Sequence, residues 1–147
     1  MKVNNKAIVV TGGGSGMGRE MVLELLRRGA RVAAVDISAE GLARTGELAG
    51  ENRGSMSTHL ADITDRTAVE ALPEAVIAAH GTVDGLINNA GINRPSKGLD
   101  VTEENWDDHY ATNVRGGFFV AQKVAPMMIE KGWGRIIFIS SQSGLIG

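Results

Sequence analysis

The sequence predicts an α/β fold, a doubly wound parallel sheet with strand order 3-2-1-4-5 and helices on both faces. Three observations carry the prediction. Short β-branched or apolar runs alternate with longer helical patterns at a period of about thirty residues, the sequence form of repeated βαβ units. Several of the short runs are apolar on consecutive positions, as strands covered on both faces must be. A glycine-rich turn joins the first run to the first helical pattern. The chain has 147 residues, 43% of them hydrophobic, enough for one sizeable core and so for a single domain over 1–147.

The elements follow in order. Strands are expected at Ala7–Val10, Arg31–Val35, Met56–Leu60, Val83–Ile87 and Arg135–Ile139, with helices near 17–28, 39–50, 65–79 and 103–130. The first helix ends where Arg27 and Arg28 oppose the negative helix end and Gly29 suits a left-handed cap. Pro73 and Pro126 weaken the third and fourth helices locally, which predicts a kink in each. Thr102 is placed to cap a turn that begins with Glu103 and Glu104.

Val10-Thr11-Gly12-Gly13-Gly14-Ser15-Gly16-Met17-Gly18 follows the first strand and opens the first helix. Bare backbone amides at a positive helix end suit a pyrophosphate, and glycine lets the phosphates approach the chain. No frame of Gly12–Gly18 fits G-x-G-x-x-G; the spacing is T-G-x-x-x-G-x-G. Gly13 and Gly18 have the separation of a P-loop, but Arg19 and Glu20 stand where Lys and Ser/Thr would hold phosphate and magnesium, which disfavours an NTPase. Asp36 closes the second strand 24 positions after Gly12, where an acidic residue accepts hydrogen bonds from the adenosine ribose; its blander role is to cap the helix entered at Ser38. A carboxylate there repels a 2′-phosphate, and no Arg lies within Gly12–Gly18 or just after Asp36. The pair points to a Rossmann-type site that prefers NAD to NADP.

With these residues in hand, the chain resembles the short-chain dehydrogenase/reductase family along its whole length. The glycine spacing is that family's own. Leu60-Ala61-Asp62-Ile63-Thr64 is similar to the end of its third strand, where the resemblance places Asp62 and Ile63 against adenine. Asn88-Asn89-Ala90-Gly91 matches its NNAG motif, so Asn89, Ala90 and Gly91 are implied to line the cofactor. Thr112-Asn113-Val114 resembles the segment with its helix-borne active-site Asn. Gly134-Arg135-Ile136-Ile137-Phe138-Ile139-Ser140-Ser141-Gln142-Ser143-Gly144 is similar to its fifth strand and serine turn. Anchored on Gly144, the catalytic Ser falls on Ser141, with Ser140 and Ser143 as the other registers. The cofactor set implied is Gly12, Ser15, Gly16, Met17, Gly18, Asp36, Asp62, Ile63, Asn89, Ala90 and Gly91, and the catalytic set Ser141 and Asn113. Taken singly, Asp62 could cap a helix, Asn88 and Asn89 could serve a turn, and Asn113 could be an ordinary helix residue.

The chemistry the resemblance implies is hydride transfer between an alcohol or ketone substrate and NAD(H). Ser141 would bond the substrate oxygen and Asn113 would hold a water in the proton relay. The family's proton-moving Tyr and its Lys form Y-x-x-x-K, yet the only Tyr here is Tyr110, followed four positions later by Val114. The resemblance places that motif, and the sixth and seventh strands, beyond Gly147. The chain is therefore read as the front portion of a longer polypeptide or a cleaved or split product, inactive alone. The rival readings are a nucleotide-binding module without catalysis and a self-associating fragment. Phe118, Phe119, Met127 and Met128 give the 103–130 helix more apolar surface than one face needs, so that helix is expected to join subunits of a homo-oligomer.

Charge and composition limit the partners. The 15 basic and 17 acidic residues are dispersed, with no basic stripe to suggest nucleic acid or an anionic membrane. The absence of cysteine fits a reducing compartment, and the apolar run after Lys6 is too short for a signal or a membrane span, so a cytoplasmic protein is expected. His59, His80 and His109 stand apart without metal-ligand spacing, and no metal is expected. Trp106 and Trp133 read as packing anchors at helix ends.

Overall fold

In the computed structural model, which describes residues 2–141, five parallel strands form one sheet in the order β3-β2-β1-β4-β5. They are β1 (Ala7–Thr11), β2 (Arg31–Asp36), β3 (Met56–Leu60), β4 (Gly85–Asn88) and β5 (Arg135–Phe138). The helices are α1 (Gly16–Arg27), α2 (Ala39–Leu48), α3 (Arg66–His80), α4 (Glu103–Tyr110) and α5 (Gly117–Glu130). This is the order the sequence predicts. The register pairs Val9 of β1 with Ala33 on one side and Leu86 on the other.

Alternation along the inner strands builds two cores. Ile8, Val10, Val32 and Ala34 pack with Val22, Leu23 and Leu26 of α1 and Leu42 of α2. Val9, Ala33, Val35 and Leu86 face the opposite way, onto Val69, Leu72 and Val76 of α3 and Val120, Val124 and Met128 of α5. Both sides of β1 and β2 are thus removed from water, which is why these strands read as unbroken apolar runs. β5 is exposed along its length, including Ile136, Ile137 and Phe138.

Element ends depart from expectation in a few places. β4 is placed two residues early at its start by the sequence, because Val83 and Asp84 precede the ladder; Asp84 N–H nevertheless bonds Ala7 O at 2.7 Å. The second helix stops at Leu48 and a 3-10 turn over Gly50–Ser55 leads into β3. Gly29 adopts φ +80°, the left-handed stop anticipated for α1. Arg27 and Arg28 both pair with Glu24 at 2.8 and 2.7 Å. Thr102 Oγ1 accepts the Asn105 N–H at 3.1 Å and caps α4 as expected. Pro73 and Pro126 both lie inside their helices. The single 103–130 helix is instead α4 and α5 joined through a π-helical turn at Ala111–Gly116. Among the described residues no helix is long and apolar enough to cross a membrane.

Candidate functional site

Parallel strands all end on the same side, so the loops after β1, β2, β3 and β4 meet there around a cleft of about 970 Å³. Every residue in the expected cofactor set, from Gly12 to Gly91, lines it. Asn113 and Ser141 do not line it. The alternative serine register Ser143 and the anchor Gly144 lie outside the described residues.

The glycine turn is held by its neighbours. Gly13 N–H bonds Val35 O at 3.0 Å, and Gly14 N–H bonds Asp36 Oδ2 at 2.8 Å. A Cβ on Gly18 would lie 2.0 Å from Gly12 O, so only glycine lets α1 start this close under the turn. Around Gly16 the same construction meets nothing within 4 Å, and this open side faces the cleft. Ser15 stands at the N-cap without a side-chain cap bond, and no acidic residue occupies the first turn of α1. The positive helix end is therefore left for an anion.

Asp36 answers two readings at once. Its Oδ1 accepts Ser38 N–H at 2.9 Å, but the cap of α2 is Ser38 itself, whose Oγ accepts Gly41 N–H at 2.9 Å. The link from Asp36 to Gly14 joins the end of β2 to the glycine turn. Each carboxylate oxygen retains a further lone pair, so ribose hydroxyls can still donate to it. Asp62 likewise binds its own loop, accepting Thr64 N–H at 2.8 Å, while Asp65 caps α3.

After β4, Thr11 Oγ1 accepts the N–H groups of Asn89 and Ala90 at 3.0 and 3.1 Å, and Asn89 Nδ2 returns a bond to Thr11 O at 3.1 Å. Asn88 is buried, with Nδ2 on Gly117 O at 3.1 Å. Asn113 sits in the π turn and spends both amide atoms on one residue: Oδ1 accepts Ile92 N–H at 2.8 Å and Nδ2 donates to Ile92 O at 2.9 Å. The second Nδ2 hydrogen and the remaining Oδ1 lone pair can still bond a water without opening this clasp. Ser141 follows β5, three residues past Phe138, where Ile139 N–H bonds Asn88 O at 2.8 Å and keeps the chain beside β4.

The sequence reading missed the outer wall. Arg94, Asp107, Asp108, Tyr110, Thr112 and Arg115 also line the cleft. The Arg94 guanidinium pairs with Asp108, the main-chain N–H of Arg94 donates to His109 Nε2 at 3.1 Å, and His109 Nδ1–H bonds Asn105 O at 2.7 Å. Adjacent carboxylates at Asp107-Asp108, on the helix just before Asn113, were the available signal. The histidines are less isolated than their spacing suggests: Ser57 Oγ lies 2.7 Å from His59 Nε2 and 2.8 Å from His80 Nε2. Among the described residues no group of three or more His, Cys, Asp or Glu could hold a metal. Trp106 is exposed, contrary to its reading as an anchor, whereas Trp133 lies under Lys6, whose Nζ is 4.3 Å from the ring centroid.

The family model described as short chain dehydrogenase matches residues 6–147. D-threitol dehydrogenase of Mycolicibacterium smegmatis is 34% identical over 145 residues, covering 99% of this chain and 56% of that protein. The 3-oxoacyl-(acyl-carrier-protein) reductase FabG of Thermotoga maritima is 35% identical over 147 residues, with 100% of this chain and 60% of that protein covered. The crystal structure of levodione reductase superposes with a TM-score of 0.92 at 33% identity, covering 98% of this chain and 57% of the other. The chain thus spans somewhat more than half the length of the relatives it matches.

Proposed function

The chain belongs to the short-chain dehydrogenase family, and from that premise we propose that it is the dinucleotide-binding part of an NAD-dependent oxidoreductase acting between alcohol or ketone substrates and NAD(H). The observation that carries this reading is the uncapped start of α1 facing the cleft, with Asp36 bonded to Gly14 beside it. Ser15, Gly16, Met17 and Gly18 would hold the pyrophosphate, Asp36 the adenosine ribose, Asp62 and Ile63 the adenine, and Asn89 to Gly91 the path toward the nicotinamide. When bound, the nicotinamide supplies the hydride acceptor or donor. The relatives' names, a threitol dehydrogenase and a 3-oxoacyl reductase, each state a hydroxyl or carbonyl chemistry and support the substrate class.

The chain's own residues prepare this site without supplying a base. Asn113 holds Ile92, and so fixes the loop that follows the NNAG segment. Ser141 would orient the substrate oxygen. No Y-x-x-x-K occurs in the 147 residues, and a serine hydroxyl and an amide do not take an alcohol proton near neutral pH.

Fluorescence titration with NADH and NADPH tests the reading, paired with an NADH-formation assay on the same protein. NADH should bind at least about tenfold more tightly than NADPH, because a 2′-phosphate would face Asp36. Asp36→Ala should erode that preference, and the 147-residue chain should turn over no alcohol until a segment carrying Tyr and Lys is supplied. Equal affinity for the two cofactors would remove Asp36 from its role. Turnover that responds to Tyr110→Phe would relocate the proton relay.

The same premise extends to self-association. Of the four residues expected to supply this surface, Met128 is buried in the core and Phe119 and Met127 pack against it, leaving Phe118 exposed; Trp106, Tyr110, Val114 and Ile129 add exposed apolar surface along α4, the π turn and α5. Burying such a stripe against a second copy removes it from water. Light scattering should report an oligomer that Phe118→Glu dissociates; a monomer at high concentration would count against it.

A further inference from the structure

The carbonyl side of the glycine turn is tied down by residues with no place in its sequence pattern. Thr45, in the middle of α2, is fully buried, and its hydroxyl lies 3.0 Å from Gly13 O. It is also 3.0 Å from Gly41 O, but that carbonyl already has the main-chain N–H of Thr45 as its helical partner. The one hydroxyl hydrogen has both carbonyls in reach, but Gly41 O keeps its helical N–H without it, so loss of the hydroxyl falls on Gly13 O; the Thr45 oxygen in turn accepts Arg19 Nε–H at 3.0 Å. The same guanidinium donates through Nη2 to Gly14 O. Gly41 completes the contact, since a Cβ there would stand 2.8 Å from Gly14 O.

Gly13 and Gly14 are thus fixed from both directions. Their N–H groups go to the end of β2, at Val35 O and Asp36 Oδ2, and their carbonyls go to Thr45 and Arg19. What remains free to face the cleft is the row of amides that opens α1. We infer that Thr45, acting with Arg19, is a positioning residue that sets the pose of the glycine turn for a diphosphate, which makes α2 part of the cofactor apparatus although none of its residues lines the cleft. This rests on the dinucleotide reading above. The hydroxyl reaches the ligand only through Gly13, so its loss should weaken the pyrophosphate contacts and spare those to the adenosine end.

The test uses Thr45→Val, which keeps the shape and removes the hydroxyl, and Thr45→Ser, which restores it. Dissociation constants are measured for ADP-ribose, NADH and adenosine, together with amide hydrogen exchange over residues 12–18 without ligand. Thr45→Val should raise the ADP-ribose and NADH constants about tenfold, the range for orphaning one buried carbonyl, and leave adenosine within about twofold. Its 12–18 segment should exchange faster while β1 and β2 stay protected, and Thr45→Ser should recover both readouts. A purely structural role would weaken all three ligands alike or none. Equal losses for adenosine and ADP-ribose, or unchanged exchange at 12–18, overturn the inference. If the unmodified protein binds neither NADH nor ADP-ribose, the dinucleotide reading falls and the brace with it; if it binds them and Thr45→Val binds as tightly, the brace alone is wrong.

Discussion

At the amino ends of the strands, Asp84 bonds Ala7 N–H at 2.8 Å through Oδ2 and the Lys131 ammonium at 2.7 Å through Oδ1. Lys131 also donates to Val83 O at 2.6 Å and Thr82 Oγ1 at 2.8 Å, and Lys6 lies between Asp84, 3.9 Å away, and the Trp133 ring. At the carboxyl ends the same strands run out into an open cleft, with the first amides of α1 uncapped. One edge uses its polar groups internally and closes the sheet. The other holds its polar groups in place and leaves part of their bonding capacity outward. The difference separates stability from binding within one fold: a parallel sheet brings loops together at both ends, but a charge consumed by its neighbours has little left for a ligand.

The strongest way to break this comparison is at Asp84. Burial pushes its carboxyl upward, yet the Lys131 bond, the Ala7 N–H and nearby Lys6 outweigh that and hold it below the ordinary Asp value. Asp84→Ala strips the acceptor from Ala7 N–H and leaves Lys131 without its main counter-charge. Breaking a buried pair costs about 3–5 kcal/mol, and partial exposure of Lys131 reduces this to about 2–3 kcal/mol. Urea unfolding should show that loss while the NADH dissociation constant stays within about twofold. Lys131→Met should cost a similar amount, and the two changes together should cost less than their sum. A stable Asp84→Ala protein, or one whose cofactor affinity falls in step with its stability, would mean that the two edges are not separable.

How much of each edge was legible in the sequence follows from the range of its contacts. β1 and β2 could be placed within a residue because both faces are covered and the apolar runs are unbroken, whereas β3, Met-Ser-Thr-His-Leu with only Met56 buried, was legible through its place in the βα period. The cofactor loops could be assigned to one cleft because parallel strands deliver their carboxyl ends to one side. The π turn was hidden, since it barely disturbs an apolar periodicity; at this turn Asn113 clasps Ile92, 21 residues away in sequence. The Asp84 and Thr45 networks join residues 77 and 32 positions apart, with no local pattern to announce them. A charged residue inside the apolar run Val83–Ile87 was the one hint of the first. Thr45 offered none.

The smallest effect concerns acid, and it sharpens the comparison by acting away from the cleft. Ser57 has one hydroxyl hydrogen, so it can donate to one imidazole while accepting from the N–H of the other, an arrangement satisfied with both rings neutral. Burial first, and then the proximity of His80, lowers the His59 pKa below its usual value; burial first, and then Arg31, lowers that of His80. Arg31 also donates to His80 O, which ties the pair to the amino end of β2. Because the folded values lie below the unfolded ones, the unfolded chain takes up protons first as pH falls. The contribution to stability is complete above the ordinary histidine value of about 6.5 and is lost as pH drops from there through the lowered values. Unfolding free energy should be flat from about pH 8 to 7 and fall by about 1 kcal/mol or less by pH 5.5, since both rings keep some contact with solvent. His80→Gln and His59→Gln should each flatten that slope. Stability that does not change down to pH 5.5, or a slope that survives both substitutions, would remove the histidine pair as its source.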